Sequence, residues 1–291
     1  MREELAPIGI FDSGVGGLTV VRAILRRYSH ERILYVADQA HVPYGERPLE
    51  DIRRFAGGIS DFLAEQGCKA IVMACNISSA CALPSIAAKL APLPIFGMID
   101  PAVRRAVEVD PQAAIGVLAT TGTVRSGAYT TQIRALNPQA RVIEVACPRF
   151  VPLVEAGELY SQETMEAAYT YLMPLARAEC RTIILGCTHY PFLLPTLRRA
   201  AADLFPGPVR FIDPAEETAQ ALEGKVPPSQ FGAARHLLLT TGDVSVFASQ
   251  IPCFLPGFEY EIAIAHWSDN RRLSLAGLPI SRASNTVDMS L

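Results

Sequence analysis

GCKAIVMACN (residues 67–76) and ECRTIILGCT (residues 179–188) follow one pattern. Each reads cysteine, a base, any residue, two branched aliphatics, a long apolar residue, a small residue, a second cysteine and a small polar residue. The offset is 112 positions throughout. A second pair, IGIFDSG (8–14) and IGVLATTG (115–122), repeats at an offset of 107 and sets Ser13 opposite Thr120. Each half of the chain therefore opens with a strand ending in hydroxyl residues and a glycine, and later carries a strand ending in cysteine. An internal repeat of this kind predicts two similar units.

Outward from these stretches, short runs rich in Ile, Val and Leu alternate with longer amphipathic segments. Residues 8–11, 33–37, 71–74, 95–98, 114–118, 142–146 and 183–185 read as strands. Their apolar residues do not alternate with polar ones, as expected of a parallel sheet covered on both faces. Residues 49–66 and 162–178 read as amphipathic helices. The alternation predicts an α/β fold with mainly parallel sheets. In open α/β sheets the active residues gather beyond the carboxyl ends of the strands, where Cys75 and Cys187 both fall. If the two units face each other, these cysteines flank one cleft, a common setting for small-molecule sites.

Composition narrows the function. The chain has 291 residues, half of them hydrophobic, and a net charge of -3. No basic footprint for nucleic acid and no Lys/Arg run for an anionic membrane surface is present. No apolar run is long enough to span a bilayer, and MREELAP at the start does not read as a signal peptide, so a cytoplasmic location is expected. Seven cysteines, an odd number, argue against a disulfide framework, and none stand at C-x-x-C spacing. No metal site is expected.

Among the seven, Cys75 and Cys187 carry the argument. A lone buried cysteine is usually a small apolar packing residue. Cys75, however, is followed by Asn76, Ser78 and Ser79 where a strand gives way to a helix start, a setting that favours a thiolate. Cys187 has Thr188 and His189 beside it, and Pro191 suits an early helical position. His189 reads either as a proton shuttle for the thiol or as a structural histidine. Cys68 and Cys180 match across the repeat but precede their strands, and read as packing residues. FDSGVGGLTV (11–20) is a strand, a glycine-rich turn and a helix start. Asp12 there reads equally as a ligand for an ammonium group and as a helix cap. VADQAHVPYGERP (36–48) ends a strand in a Pro-Tyr-Gly turn. Glu155, in PLVEAGE, is either an acid/base group or an exposed helix carboxylate.

The set FDSGVGG, ADQAHVPYGERP, ACN, ATTGTVRSGAY, PLVEAGE and GCTHYPFL, in this order over residues 8–254, resembles bacterial glutamate racemases of the aspartate/glutamate racemase family. The resemblance implies two pseudo-symmetric three-layer α/β domains with the active site in the cleft between them. The first would comprise residues 1–98 and 210–267 and the second 99–209. The segment 268–291, rich in Ser, Asn and Arg, is expected to be poorly ordered. The implied reaction interconverts L- and D-glutamate without a cofactor and supplies D-glutamate for peptidoglycan. Cys75 would deprotonate D-glutamate and Cys187 L-glutamate, with Asp12, His189 and Glu155 assisting. Substrate contacts would come from Asp12, Ser13, Pro43, Tyr44, Gly45, Asn76, Ile77, Thr120, Thr123, Thr188 and His189. A homodimer is implied, with no nucleic-acid or membrane partner. One departure concerns Ile77, where the family commonly has threonine. It removes a hydroxyl donor, and buried polar recognition is where such a loss is felt most.

Two thiols suit such a reaction, because one removes the α-proton while the other protonates the opposite face, and the roles exchange in reverse. The carbanion-like transition state needs donors around the carboxylate. Ser13, Asn76, Thr188 and the amides near Gly14 are candidates. A related enzyme acting on aspartate, a hydantoin or a malonate, and a non-catalytic amino-acid-binding relative, are the alternatives.

Overall fold

The computed structural model describes residues 6–109, 111, 114–229, 236–269, 271–277 and 281–284. The chain divides into two compact units, Met1–Gly97 with Ala219–Leu291, and Met98–Thr218.

The first unit begins β1 (Ile8–Asp12), α1 (Leu18–Arg27), β2 (Ile33–Ala37), α2 (Leu49–Glu65), β3 (Ala70–Met73), α3 (Asn76–Leu90) and β4 (Ile95–Gly97). The second contains α4 (Ile99–Val109), β5 (Ile115–Ala119), α5 (Thr121–Ser126), α6 (Ala128–Leu136), β6 (Val142–Ala146), α7 (Phe150–Glu155), α8 (Gln162–Arg177), β7 (Thr182–Gly186), α9 (Leu194–Leu204) and β8 (Arg210–Ile212). After α10 (Pro214–Ala221), the chain completes the first unit with β9 (His236–Thr240), α11 (Val244–Phe254), β10 (Glu259–Ser268), β11 (Arg272–Leu275) and β12 (Ser281–Ser284).

The first unit's sheet runs β11-β10-β9-β2-β1-β3-β4, with β12 also paired to β10, and the second unit's runs β6-β5-β7-β8. All pairs are parallel except those of β11 and β12 with β10. Every residue of β1, β2, β3, β5 and β7 is buried. Strands buried on both faces need cover from both sides, and that is why they read as unbroken apolar runs.

The sequence repeat appears as matching strand pairs. Ile8 sits opposite Ala70 where β1 meets β3, and Ile115 sits opposite Thr182 where β5 meets β7. The turns entering the cysteine strands match as well. The N–H of Cys68 donates to the Leu63 carbonyl, and that of Cys180 to the Leu175 carbonyl. Gly9 and Gly116 leave room for these turns. A Cβ on Gly9 would lie 2.9 Å from the Cys68 sulfur and 3.2 Å from Leu63, and one on Gly116 would lie 2.8 Å from Leu175.

Three expectations are corrected. The second unit extends to Thr218 rather than 209, because Arg210–Ile212 pairs with β7 and so belongs to its sheet. Of the segment expected to be poorly ordered, β11 and β12 hydrogen-bond to β10, while residues 270, 278–280 and 285–291 lie outside the described residues. The stretch after 209 also contributes strands β8, β9 and β10, which the reading of apolar runs passed over. β8 has only three residues with an exposed arginine, and β10 mixes buried with exposed positions.

Candidate active site

In the first unit, β1 and β3 are neighbours, and the Ala74 N–H donates to the Phe11 carbonyl at 2.9 Å. This sets Asp12 and Cys75 at adjoining strand ends. Asp12 is buried, and its Oδ2 accepts the N–H groups of Gly14 (3.3 Å) and Gly17 (3.0 Å). The carboxylate therefore closes the glycine-rich turn ahead of α1. The N-cap position itself is Gly17, which supplies no side-chain cap. A Cβ at Gly17 would lie 2.5 Å from the Asp12 Cβ and 2.8 Å from the Tyr35 hydroxyl, so the turn needs glycine there. Tyr35 in turn donates to the Gly14 carbonyl at 2.5 Å. Burial, together with the charges of Asp12 and Cys75, keeps the Tyr35 phenol protonated, well above its ordinary range.

Cys75 is the N-cap residue of α3, so the strand-to-helix placement read from the sequence is realised. It is 6 % exposed and packs in an apolar cluster with Tyr44, Ile52, Phe55 and Ile77. Ile77 is thus brought beside the thiol, as a buried wall without a hydroxyl. Tyr44 and Gly45 lie in a single 3-10 turn, Tyr44–Glu46, after an exposed Pro43. Ser13 is half-buried in the turn after β1, and Asn76 is buried in the first turn of α3.

Asp38, at the end of β2, was not among the residues singled out by the sequence. It is shut off from solvent and accepts from Tyr44 Oη (2.5 Å), His41 Nδ1 (2.9 Å), Thr241 Oγ1 (2.8 Å) and Trp267 Nε1 (2.7 Å). Burial pushes its carboxyl up, but the donors from His41, Tyr44 and Trp267 outweigh it and hold the group below the usual Asp range.

In the second unit, Ala119 at the end of β5 sits opposite Gly186 at the end of β7, which places Thr120 and Cys187 at adjoining strand ends. Thr120 caps α5, accepting the Thr123 N–H at 3.4 Å, and the two hydroxyls lie 3.0 Å apart. Cys187 is 8 % exposed. Unlike Cys75 it does not cap an α-helix. Its carbonyl accepts the N–H of Tyr190, and a 3-10 turn, Tyr190–Leu193, with Pro191 near its start, comes before α9. What the thiol has instead is an imidazole. His189 Nδ1 is 3.8 Å from the Cys187 sulfur, and His189 Nε2 is 3.3 Å from Glu155 Oε1. His189 and Thr188 are buried, while the Glu155 side chain, at the end of α7, is 43 % exposed. The acid is thus a largely solvent-facing helix carboxylate that also neighbours the histidine.

Three further cysteines are buried in the packing of the two units. Burial pushes Cys68 up to about 12 and Cys180 to about 11, and Cys147 well above the ordinary thiol range. These are thiols at neutral pH, which fits packing roles. Among the described residues, no group of three or more His, Cys, Asp or Glu side chains is disposed to hold a metal ion. No helix is long and apolar enough to cross a membrane among the residues described.

The strand ends thus carry two thiols, one in each unit, beside turns rich in hydroxyls, amides and one buried acid. Residues 8–222 match the family model described as Asp/Glu/Hydantoin racemase. The chain is similar to the glutamate racemase of Gloeobacter violaceus, 45 % identical over 244 residues, which are 83 % of this chain and 89 % of that protein. Among solved structures, it resembles glutamate racemase isoform RacE1 from Bacillus anthracis, with a TM-score of 0.82 at 32 % identity over 90 % of this chain and 97 % of that one. It also resembles the glutamate racemase of Francisella tularensis in complex with D-glutamate, with a TM-score of 0.81 at 31 % identity, covering 91 % and 98 %. The chain belongs to the Asp/Glu/hydantoin racemase family.

Proposed function

We propose that this enzyme interconverts L- and D-glutamate by exchanging the α-proton between Cys75 and Cys187. The observation that carries the reading is the doubled construction. Each unit ends its cysteine strand beside a strand whose following turn supplies an acid or hydroxyls. Two bases of one kind serve both directions of a racemisation equally, which a single base does not. The named relatives, one of them in complex with D-glutamate, support glutamate as substrate.

In this reading one cysteine, as thiolate, takes the α-proton while the other thiol gives its proton to the opposite face. Cys75 takes it from D-glutamate and Cys187 from L-glutamate. The α-proton is very weakly acidic, so donors must meet the charge developing on the carboxylate. Ser13, Asn76, Thr188 and the backbone amides near Gly14 serve there, and Pro43, Tyr44, Gly45, Thr120 and Thr123 complete the substrate contacts. Asp12, fixed by two amides, holds the ammonium group. His189, 3.8 Å from the sulfur, accepts the Cys187 proton as the thiolate forms, and Glu155 steadies the imidazolium. Ile77 contributes no hydrogen bond, so its effect falls on KM more than on kcat.

The test is incubation with L-glutamate in D2O, followed by mass spectrometry and chiral chromatography. D-glutamate carrying α-deuterium is the expected product. Folded protein that yields neither product nor exchange overturns the reading. Better turnover of aspartate, a hydantoin or a malonate than of glutamate would move the substrate assignment. A homodimer and supply of D-glutamate for peptidoglycan in the cytoplasm go with the proposal. They are checked by analytical ultracentrifugation and by complementation of a D-glutamate-requiring bacterium.

A further inference from the structure

Asp38 gathers donors from three separate parts of the chain. Tyr44 and His41 lie in the loop that follows β2, Thr241 follows β9, and Trp267 lies near the end of β10. A buried carboxylate with this many donors is firmly placed. The arrangement has a direction. Trp267 is itself located by packing, with its ring 5.4 Å from that of His41 and 5.9 Å from that of Phe55. His41 stacks on Phe55 at 3.8 Å. Tyr44, whose hydroxyl is given to Asp38, packs its ring in the cluster that holds Cys75, Ile52, Phe55 and Ile77. Burial and the Asp38 charge hold the Tyr44 phenol well above its ordinary range, so its proton stays on and stays directed at Asp38. What Tyr44 offers the thiol is therefore its ring, with the hydroxyl engaged elsewhere.

We propose that Asp38 is a positioning residue for the Cys75 thiol: it holds Tyr44 as the aromatic wall of that thiol's pocket, and Trp267 holds Asp38. The consequence for catalysis rests on the racemase reading, whereas the placement of the wall does not. The contact set, like Cys75, lies within the first unit, whereas Cys187 belongs to the second. The effect is therefore one-sided.

Peptide-resolved alkylation by iodoacetamide, followed by mass spectrometry, reads the placement directly. Wild type is compared with Tyr44→Phe, Asp38→Ala and Trp267→Phe, with Cys187 and Cys68 as internal references. Cys75 alkylation is expected to rise about tenfold in Tyr44→Phe and Asp38→Ala, the scale of one lost hydrogen bond to a charged group. A smaller rise is expected in Trp267→Phe, and the reference cysteines should not change. Tyr44→Phe removes one oxygen and keeps the ring, so it decides the matter should Asp38→Ala fail to fold. Unchanged Cys75 rates overturn the proposal, and so does a parallel rise at Cys68, which would mean general loosening. A second readout uses α-deuterated substrate. The primary isotope effect on kcat should grow for the enantiomer deprotonated by Cys75 and shrink for the other, whose deprotonation by Cys187 becomes less rate-limiting, and equal growth for both would overturn the catalytic consequence. If wild type exchanges no α-proton of glutamate, the function reading fails, while alkylation still decides the placement of the wall.

Discussion

At the scale of single residues, the first candidate site depends on one missing side chain. Gly17 has no room for a Cβ between Asp12 and Tyr35. Gly17→Ala must therefore push the Asp12 carboxylate or the Tyr35 hydroxyl out of place. A misplacement near 1 Å is enough to cost about 10²-fold in rate, and overpacking adds roughly 1–3 kcal/mol of lost stability. We expect kcat/KM for racemisation to fall by about that factor while the circular dichroism spectrum is kept, and steady-state kinetics on the purified variant checks it. The same residues show what the sequence made legible. Cys75 and Cys187 stood out among seven cysteines because a repeat named them. Asp38 did not, because an acid in a turn reads alike whether it faces water or four donors, and two of those donors lie 203 and 229 positions away. Ile77 was visible as a departure from a motif, but its packing with Tyr44 and Phe55 followed only from the folded chain.

At the scale of elements, α2 sets two adjacent glycines against each other. Gly57 has nothing within 4 Å of an added Cβ, whereas one on Gly58 would meet the Arg271 carbonyl and the Trp267 ring, each at 2.7 Å. Helix propensity favours alanine over glycine by about 1 kcal/mol at either site. Gly57→Ala should accordingly raise the unfolding midpoint, and Gly58→Ala should lower it as overpacking outweighs propensity. Chemical denaturation of the two variants separates the signs, and a stabilised Gly58→Ala would mean that Trp267 is not seated against this helix. The edge between β2 and β9 carries a pH dependence. His236 Nδ1 accepts the Ile33 N–H at 3.3 Å, and burial, aided by the Arg32 charge, pulls the imidazole down to about 4. The unfolded chain takes up a proton near pH 6.5 while the folded chain does not, so this contribution is intact above that pH and is lost as pH falls toward 4. Roughly 2 kcal/mol should disappear between pH 7 and pH 5. His236→Gln, which keeps an acceptor and does not titrate, should flatten that part of the profile in urea titrations. Most of the strands that the sequence revealed are buried throughout, as β1, β2, β3, β5 and β7 are, with the half-buried β6 an exception. Of the later ones, β8 was obscured by its shortness and β10 by its exposed positions, whereas β9, five residues and mostly buried, was passed over without such a reason.

At the scale of the whole chain, the first unit is assembled from two segments separated by the second unit. One fastening between them is made on the buried pair Lys69–Glu31, at 2.7 Å within the first segment, through its bonds to Pro227 and Ser229 of the second, beside the strand start opposite the candidate site. Lys69 Nζ also donates to the Pro227 carbonyl (2.6 Å) and to Ser229 Oγ (3.0 Å), and Glu31 accepts from the Ser229 N–H and hydroxyl, each at 2.9 Å. Lys69→Ala would leave the Glu31 charge buried without its cation, and such losses cost about 3–5 kcal/mol. The expected result is a matching fall in unfolding free energy, measured in urea, with partial recovery when Glu31→Gln is added. The repeat made the two-unit plan readable from the sequence. The return of the chain was not readable in that way, because 219–291 has no counterpart in the first half and was placed only by resemblance.

Trp267, the only tryptophan in the chain, stands where that returning segment reaches Asp38. Its indole is half-buried, edge-on to an imidazole and hydrogen-bonded to a carboxylate. The molecule thus carries a built-in optical probe. Excited at the red edge, where the nine tyrosines do not absorb, the protein emits from this indole alone, so a change in colour or intensity on adding ligand reports this one corner without any label. Stopped-flow fluorescence could then time the movements of the loop around Tyr44 separately from the proton transfers.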